Sequence, residues 1–253
     1  METGKMIWLE FDGWYVDDQG NRILFDTTDE KKAEEAGIKG EGRAYGSMPM
    51  ITGETSLIKG LEEAIMEATV GEEKEIEIPP EKGFGERDPT NIVLVPMNKL
   101  LRLPQFQKED SPPPAVGMEV DFGEKKGTIV YMTSARARVD FNPKFAGRTL
   151  VYRFKVAKEA KELEDYVFGA IEMAYGRKDG FEVERKKDGL HIRIPDFAKI
   201  DQLWLFQKLR VISLIRRFTN EKVIKLVEEY VKKEDKPTGE GADEGGKGDG
   251  KAE

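Results

Sequence analysis

The feature that most constrains the fold of this chain is a proline-interrupted block in its middle. Proline lacks a backbone N–H and fixes φ, so Pro104 and the run 112–114 exclude a helix or an inner strand at those positions. Short strand patterns follow at 117–122, 127–132 and 135–141. The block therefore has strands and turns of its own, which predicts a small domain inserted into a loop of a larger one.

The segments on either side of the block predict one mixed domain. Its expected elements are, in chain order, two strands joined by the turn DDQGN within 6–28, a short helix over 29–37, a helix from about Leu57, a strand ending at Ile78 and a strand over 148–158. We therefore expect residues 1–95 and 143–157 to form this domain, with residues 96–142 as the insert.

The chain continues into a third predicted unit, residues 158–234. It begins with a helix that has an apolar stripe, and the Asp-Gly turn at 188–189 predicts a hairpin. Two more helices are expected over 201–218 and 220–233. The stretch LWLFQKLRVISLI is apolar enough to be either a core or a self-association surface, including that of a homodimer.

Composition excludes several kinds of site. The 253 residues include no cysteine, which excludes disulfides, thiol nucleophiles and thiolate metal sites. The single histidine, His191, takes the polar face of an alternating strand, so neither a catalytic triad nor a histidine metal cluster is expected. The net charge of −8 argues against nucleic acid and acidic membrane surfaces as partners. We expect no metal and no cofactor.

The sequence also predicts the cellular location of the protein and the kind of organism it comes from. It has no 18-residue apolar run and no signal-peptide core, so a cytoplasmic protein is expected. Abundant Glu, Lys and Arg without cysteine fits a thermophile. The Gly-rich, charged tail over 235–253 is predicted to be disordered.

The segment PPEKGFGERDP, residues 79–89, contains one apolar side chain, Phe84, between two glycines. Glycine adopts backbone conformations that residues with a Cβ resist, so a sharp bend around Phe84 is expected. A ring on such a bend is either anchored in a core or presented to a ligand.

Several motifs together resemble the FKBP family of peptidyl-prolyl isomerases, in its SlyD-like branch with an insert-in-flap domain. The motifs are FDTT, LIKGLEEAI, VGEEKEIEIPPEKGFGERDP, VPMNKL and DFNPKFAGRTLVYRFKV. The resemblance runs from about residue 6 to residue 156, and the unit after it is similar to that of long archaeal FKBPs. It implies an α+β fold in which an antiparallel β-sheet wraps on a short helix, with an inserted small β-rich domain and a C-terminal α+β domain.

The resemblance also assigns site residues. Asp26, Phe84 and Tyr152 are the implied catalytic residues. The implied substrate-binding residues are Phe11, Phe25, Met48, Leu57, Ile58 and Leu61. The alternative role of Asp26 is to cap the helix or turn that begins in the segment TTDEKK.

Two departures from the family pattern are informative. Positions 11 and 84 are Phe where the family has Tyr, and Phe84 cannot donate a hydrogen bond to a bound carbonyl. The junction NPKFAG, with Pro143 and Phe145, alters the return from the insert. Both departures predict weaker catalysis, and they keep open a binding chaperone or assembly module with little isomerase activity.

The resemblance implies that the insert binds unfolded or proline-containing polypeptide clients through apolar side chains. The candidates are Leu100, Leu101, Leu103, Phe106, Met118, Val120, Ile129, Tyr131 and Met132. Some of these must form the insert's own core, and the sequence does not sort them.

Overall fold

The computed structural model describes residues 1–54, 57–108 and 110–231. Within these residues the strands form three sheets, one in each predicted unit. The strands of the first sheet are β1 (Met6–Val16), β2 (Arg22–Thr27), β3 (Met48–Ile51), β4 (Glu73–Ile78) and, after the insert, β9 (Leu150–Glu159). The first helices are α1 (Glu30–Glu35) and α2 (Lys59–Met66). The sheet is antiparallel, as the resemblance implies, with the order β2-β1-β9-β4 and with β3 also paired to β1.

Strand β1 is buried along most of its length because both of its faces are covered. Ile7, Leu9 and Phe11 face a core that α2 completes with Leu61 and Ile65. Alternate residues of β1 face the third unit instead. This explains why the segment MIWLEF is continuously apolar apart from one glutamate, as expected for a strand that is covered on both sides.

The insert is a small sheet with its own core. Its strands are β5 (Ile92–Pro96), β6 (Glu119–Asp121), β7 (Lys126–Met132) and β8 (Arg136–Asp140), and its helix is α3 (Met97–Leu100). The strand order is β5-β8-β7-β6. Because β5 pairs with β8, the boundary expected between residues 95 and 96 passes through the first strand of this sheet.

The third unit consists of α4 (Leu163–Tyr175), β10 (Glu182–Lys186), β11 (Gly189–Arg193), α5 (Asp196–Lys199), α6 (Gln202–Phe218) and β12 (Ile224–Val227). The hairpin and the helix expected over 201–218 are confirmed. The apolar residues of α6 serve two purposes: Trp204 and Val211 lie in the core, whereas Phe206 and Leu209 are exposed.

The helix predicted over 220–233 is wrong in the part that the structure describes. Strand β12 lies there and pairs in parallel with β11. The apolar spacing of the segment fits a helical stripe as well as a strand, and tertiary pairing decides between them. Ile224 and Leu226 pack on the core, while Lys225 Nζ lies 2.5 Å from Asp188 Oδ2. The tail over 235–253 lies outside the described residues.

The third unit packs directly against the first sheet. A Cβ on Gly169 of α4 would lie 2.4 Å from Met6 Sδ and 3.1 Å from a ring carbon of Trp8, so only glycine allows this approach. Trp8 Nε1 donates to Glu172 Oε2 over 3.1 Å, and Arg217 pairs with Glu54. The helices among residues 1–54, 57–108 and 110–231 are all too short or too polar to cross a membrane.

Candidate functional site

Aromatic rings from four separate parts of the chain converge beside the first sheet. They form what we call the aromatic pocket, which consists of Phe11, Tyr15, Phe25, Phe84, Phe145 and Tyr152. Phe25 is the central ring, with its centroid 4.4 Å from Phe145, 5.9 Å from Tyr152 and 6.4 Å from Phe84. Phe145 also contacts Phe84, at 5.4 Å. Such distances and tilted geometries are those of attractive aromatic pairs.

Phe84 reaches the pocket on a sharply bent loop. A short 3₁₀ turn over Pro80–Lys82 follows β4, and the N–H groups of Gly83 and Gly85 both donate to Pro80 O. Gly85 has φ +84°, a left-handed conformation that favours glycine. Gly147 N donates to Gly85 O over 2.8 Å, which ties the loop to the chain returning from the insert. The expected bend is confirmed, and the ring is half-buried within the pocket.

Helix α2 forms the floor of the pocket. Leu61 is fully buried, and Leu57 and Ile58 pack against the same core from the start of the helix. Met48 is different, because it is exposed at the start of β3, opposite Leu9. Of the expected substrate-binding residues, Met48 lies outside this buried group, and the others are brought together: Phe11, Phe25, Leu57, Ile58 and Leu61.

Phe25 and Asp26 reach the site as a pair because strand β2 is irregular there. Gly13 pairs with Asp26 and Trp14 with Leu24, which leaves Phe25 as the extra residue of a β-bulge. Neighbouring residues of a regular strand point to opposite faces, and a bulge redirects one of them. The ring of Phe25 consequently packs against the ring of Tyr152, and the charge of Asp26 acts on the Tyr152 hydroxyl.

The ring of Tyr152 lies across Gly13 of the neighbouring strand. A Cβ at position 13 would lie 2.9 Å from Tyr152 Cε1 and 3.4 Å from a ring carbon of Phe25, so glycine makes room for both rings. Burial, and to a smaller extent the charge of Asp26, raise the pKa of the Tyr152 hydroxyl above its usual range. Tyr152 therefore remains a neutral hydrogen-bond donor at physiological pH.

Asp26 is not the cap of the following helix. The N-cap of α1 is Asp29, whose carboxylate accepts hydrogen bonds from the N–H groups of Lys31 and Lys32. Asp26 Oδ1 instead lies 2.6 Å from Arg43 Nη2 in an ion pair. That oxygen is buried, and it accepts no well-aligned hydrogen bond from the described residues. The charge of Asp26 adds to the effect of burial in raising the pKa of the Tyr152 hydroxyl.

Three residues of the site were missed by the sequence reasoning. Arg43 pairs with Asp26 and donates to Thr27 O over 3.1 Å, but it lies in a loop without periodicity. Tyr15 contacts Phe145 at 5.2 Å, and its only signal was its position on β1 near Phe11. Phe145 did stand out, as an unusual residue at the insert junction, but nothing in the sequence placed its ring in the pocket.

The structure sorts the client-binding candidates of the insert. Leu100, Val120 and Ile129 are completely buried in the core of the insert, and Leu103 is nearly so, which keeps a client from reaching them in the folded protein. This corrects the prediction for Leu100 and Ile129. Leu101 and Tyr131 are exposed. The remaining candidates are half-buried against the core: Phe106, Met118 and Met132.

Comparison with known proteins agrees with this geometry. Residues 9–102 match the family model of FKBP-type peptidyl-prolyl cis-trans isomerases, and residues 163–231 match a model described as FKBP26_C-terminal. The chain is 35% identical over 133 residues to a short-type peptidyl-prolyl cis-trans isomerase of Methanocaldococcus jannaschii, which covers 53% of this chain and 80% of that protein.

Two bacterial relatives show the same relationship. The chain is 32% identical over 109 residues to the FKBP-type peptidyl-prolyl cis-trans isomerase SlyD of Helicobacter pylori, covering 43% of this chain and 57% of that protein. It is 28% identical over 109 residues to a probable FKBP-type 16 kDa peptidyl-prolyl cis-trans isomerase of Pseudomonas fluorescens, covering 41% and 67%.

Proposed function

The chain belongs to the FKBP-type peptidyl-prolyl cis-trans isomerase family, and from this premise we propose that it acts on unfolded or partly folded clients that its insert domain holds. The observation that supports the proposal most directly is the aromatic pocket itself. It combines apolar rings, an aliphatic floor beside α2 and the carboxylate of Asp26 near the hydroxyl of Tyr152.

Such a pocket is suited to rotation about an Xaa-Pro bond. The barrier to rotation is about 18–20 kcal/mol because twisting the amide breaks its resonance. The twisted amide has less charge separation than the planar one, so an apolar site that excludes water favours the twisted form. The rings of Phe25 and Phe84 would hold the proline ring, with Leu61 beneath it. This reaction needs no nucleophile.

We assign the polar part of the reaction to Tyr152 and Asp26. Phe11 and Phe84 carry no hydroxyl, whereas Tyr152 places one in the pocket and keeps its proton there. A carbonyl oxygen next to the isomerising bond would accept a hydrogen bond from this hydroxyl. Asp26, held by Arg43, would orient the hydroxyl and the twisted amide.

Client delivery from the insert to the pocket is the second part of the proposal, and the connection between the two supports it. The segment that returns from the insert carries Phe145 into the pocket, and the junction is braced by Arg87 with Asp140 and by Asp88 N with Asn142. A client held on the insert would have a raised effective concentration at the pocket. We also propose a cytoplasmic location, which a chain without cysteines fits.

We further propose self-association through the exposed side of α6. Phe206 is 80% and Leu209 71% exposed, one helical turn apart, and Ile200 is exposed just before the helix. Apolar residues grouped in this way are typical of interaction sites. Sedimentation velocity of the full chain and of Phe206→Ser tests this: a dimer that becomes a monomer supports it, and a wild-type monomer at all concentrations rejects it.

The isomerase proposal is tested by cis/trans exchange of a short Xaa-Pro peptide, followed by NMR with sub-stoichiometric protein. Wild type should accelerate exchange, and Phe84→Ala should remove most of the acceleration. Phe197→Ala, which deletes a partly exposed ring of α5 outside the pocket, is the matched control and should keep full activity. Equal activity of Phe84→Ala and wild type would place the reaction elsewhere.

The chaperone proposal needs a different substrate. Refolding of a full-length protein limited by proline isomerisation should be accelerated by wild type and less so by the double variant Leu101→Ser/Tyr131→Ser. The same variant should isomerise the short peptide normally, because both residues belong to the insert. If both substrates respond equally, the insert does not contribute client binding.

A further inference from the structure

One face of the insert sheet is exposed and combines apolar with basic side chains. We call it the outer insert face, formed by Leu94, Val130, Tyr131, Arg136 and Arg138. In the sheet register Leu94 of β5 lies opposite Arg138 of β8, and Arg138 lies opposite Tyr131 of β7. Leu94 is 49% and Tyr131 55% exposed. The three side chains therefore form a row across three strands, on the side of the sheet away from its core.

The arginines of this face differ from most others in the chain. Arg22, Arg87 and Arg153, for example, each contact a carboxylate within 2.9 Å. Neither Arg136 nor Arg138 has a carboxylate within ion-pair distance among residues 1–54, 57–108 and 110–231. Arg138 lies over the ring of Tyr131, with Cζ 5.9 Å from the centroid, and its guanidinium donates no hydrogen bond to the residues that the structure describes.

The acidic groups on the same face are already engaged. Asp140, the next outward residue of β8, contacts Arg87 at 2.5 Å and accepts hydrogen bonds from Asn142. Glu119 and Asp121 of β6 both form ion pairs with Lys126, whose Nζ lies 4.0 Å from Glu119 Oε1 and 3.9 Å from Asp121 Oδ2. The part of the face between β5 and β7 is consequently basic, although the whole chain carries a net charge of −8.

This chemistry specifies what the face can bind. A guanidinium presents a planar set of donors that matches a carboxylate, and it is weakly hydrated compared with an ammonium group. Leu94 and Tyr131 on either side of Arg138 would cover apolar side chains. We propose that the outer insert face binds client segments in which a Glu or Asp lies beside apolar or aromatic residues. The inference rests on the proposed client binding by the insert and specifies its substrate class.

The test compares two labelled, unstructured peptides with the same apolar sequence, one flanked by Glu and the other by Lys. Each is titrated with the full-length protein by fluorescence anisotropy at low and at high salt. Wild type should bind the Glu peptide about 3- to 10-fold more tightly at low salt, with a smaller difference at high salt. Arg138→Glu should reverse the preference, and Arg138→Ser should abolish it.

Arg210→Glu is the matched control, because it changes an exposed arginine of α6 that also has no carboxylate partner among the described residues. It should leave the preference unchanged. Exchange catalysis on a short Xaa-Pro peptide, measured for each variant, shows that the isomerase domain remains folded and active.

The outcomes separate the inference from the function on which it rests. If wild type binds neither peptide, client binding by the insert fails and the inference fails with it. If both peptides bind equally, or if Arg138→Glu keeps the wild-type preference, only the inference is overturned. Binding of a single-stranded oligonucleotide that is lost in Arg138→Glu, without any peptide preference, would overturn it in favour of nucleic acid.

Discussion

Removing one hydroxyl from the aromatic pocket should separate catalysis from stability. In Tyr152→Phe the ring contacts to Phe11 and Phe25 are kept, because only the oxygen is lost. The hydroxyl donates no hydrogen bond to the described protein groups, so Tyr152→Phe breaks none, and the free energy of unfolding should fall by less than about 0.5 kcal/mol, the lower end of what a typical hydrogen bond contributes. A hydrogen bond to a bound carbonyl is worth about 0.5–1.5 kcal/mol, which predicts a 2- to 13-fold loss in kcat/KM.

The assay is NMR exchange of a short Xaa-Pro peptide, combined with urea unfolding of the same samples. Tyr175→Phe is the matched control, since Tyr175 donates to Asp201 over 2.7 Å in the third unit. It should lose about 1.5–3 kcal/mol of stability, the range for a hydrogen bond to a charged group, and no activity. The reasoning would be refuted if Tyr152→Phe kept full activity, or if its loss of activity matched an equally large loss of stability.

The remaining predictions concern packing, access and pH. Gly169→Leu should lower the free energy of unfolding by about 1–3 kcal/mol in a urea titration, because the side chain would overlap Met6 and Trp8; a variant as stable as wild type would contradict the close approach. Phe145→Leu should change KM for an Xaa-Pro peptide more than kcat, since the ring lines the pocket without a polar atom. Exchange rates at several peptide concentrations separate the two constants. A larger change in kcat than in KM would mean that the ring acts in the chemical step. Burial, followed by its hydrogen bond to an aspartate, raises the pKa of Tyr175 to about 12. Its contribution to stability should be complete below about pH 10 and decrease as pH rises towards 12, so thermal unfolding of Tyr175→Phe should show a smaller alkaline decrease in Tm than wild type.

Local sequence patterns were sufficient to predict much of this fold. The strict alternation of 135–141 became β8, and glycines around Phe84 indicated the bend that the structure shows. The helix expected over 220–233 was wrong because its apolar spacing suits two conformations, and the open edge of β11 selects the strand.

In the candidate site, too, only the residues on regular elements could be predicted from the sequence. Its members on regular elements, such as Leu61 and Tyr152, could be assigned from motifs. Arg43 and Phe145 could not, because their roles depend on two loops that fold back over the pocket. For Leu100 and Ile129 the sequence was insufficient in another way. It identified them as apolar but did not indicate whether they lie in the core of the insert or on its surface.

The position of β9 in the first sheet has a consequence for biosynthesis. This strand lies between β1 and β4, and Leu9 pairs with Val156. A ribosome therefore completes the entire insert before the strand that closes the sheet, together with Tyr152, leaves the exit tunnel. Until then β1 can pair with β2 and β3 only, and β4 lacks its neighbour in the sheet. Such long-range pairing is slow to form, so the aromatic pocket cannot be complete before this central strand has been synthesised and paired.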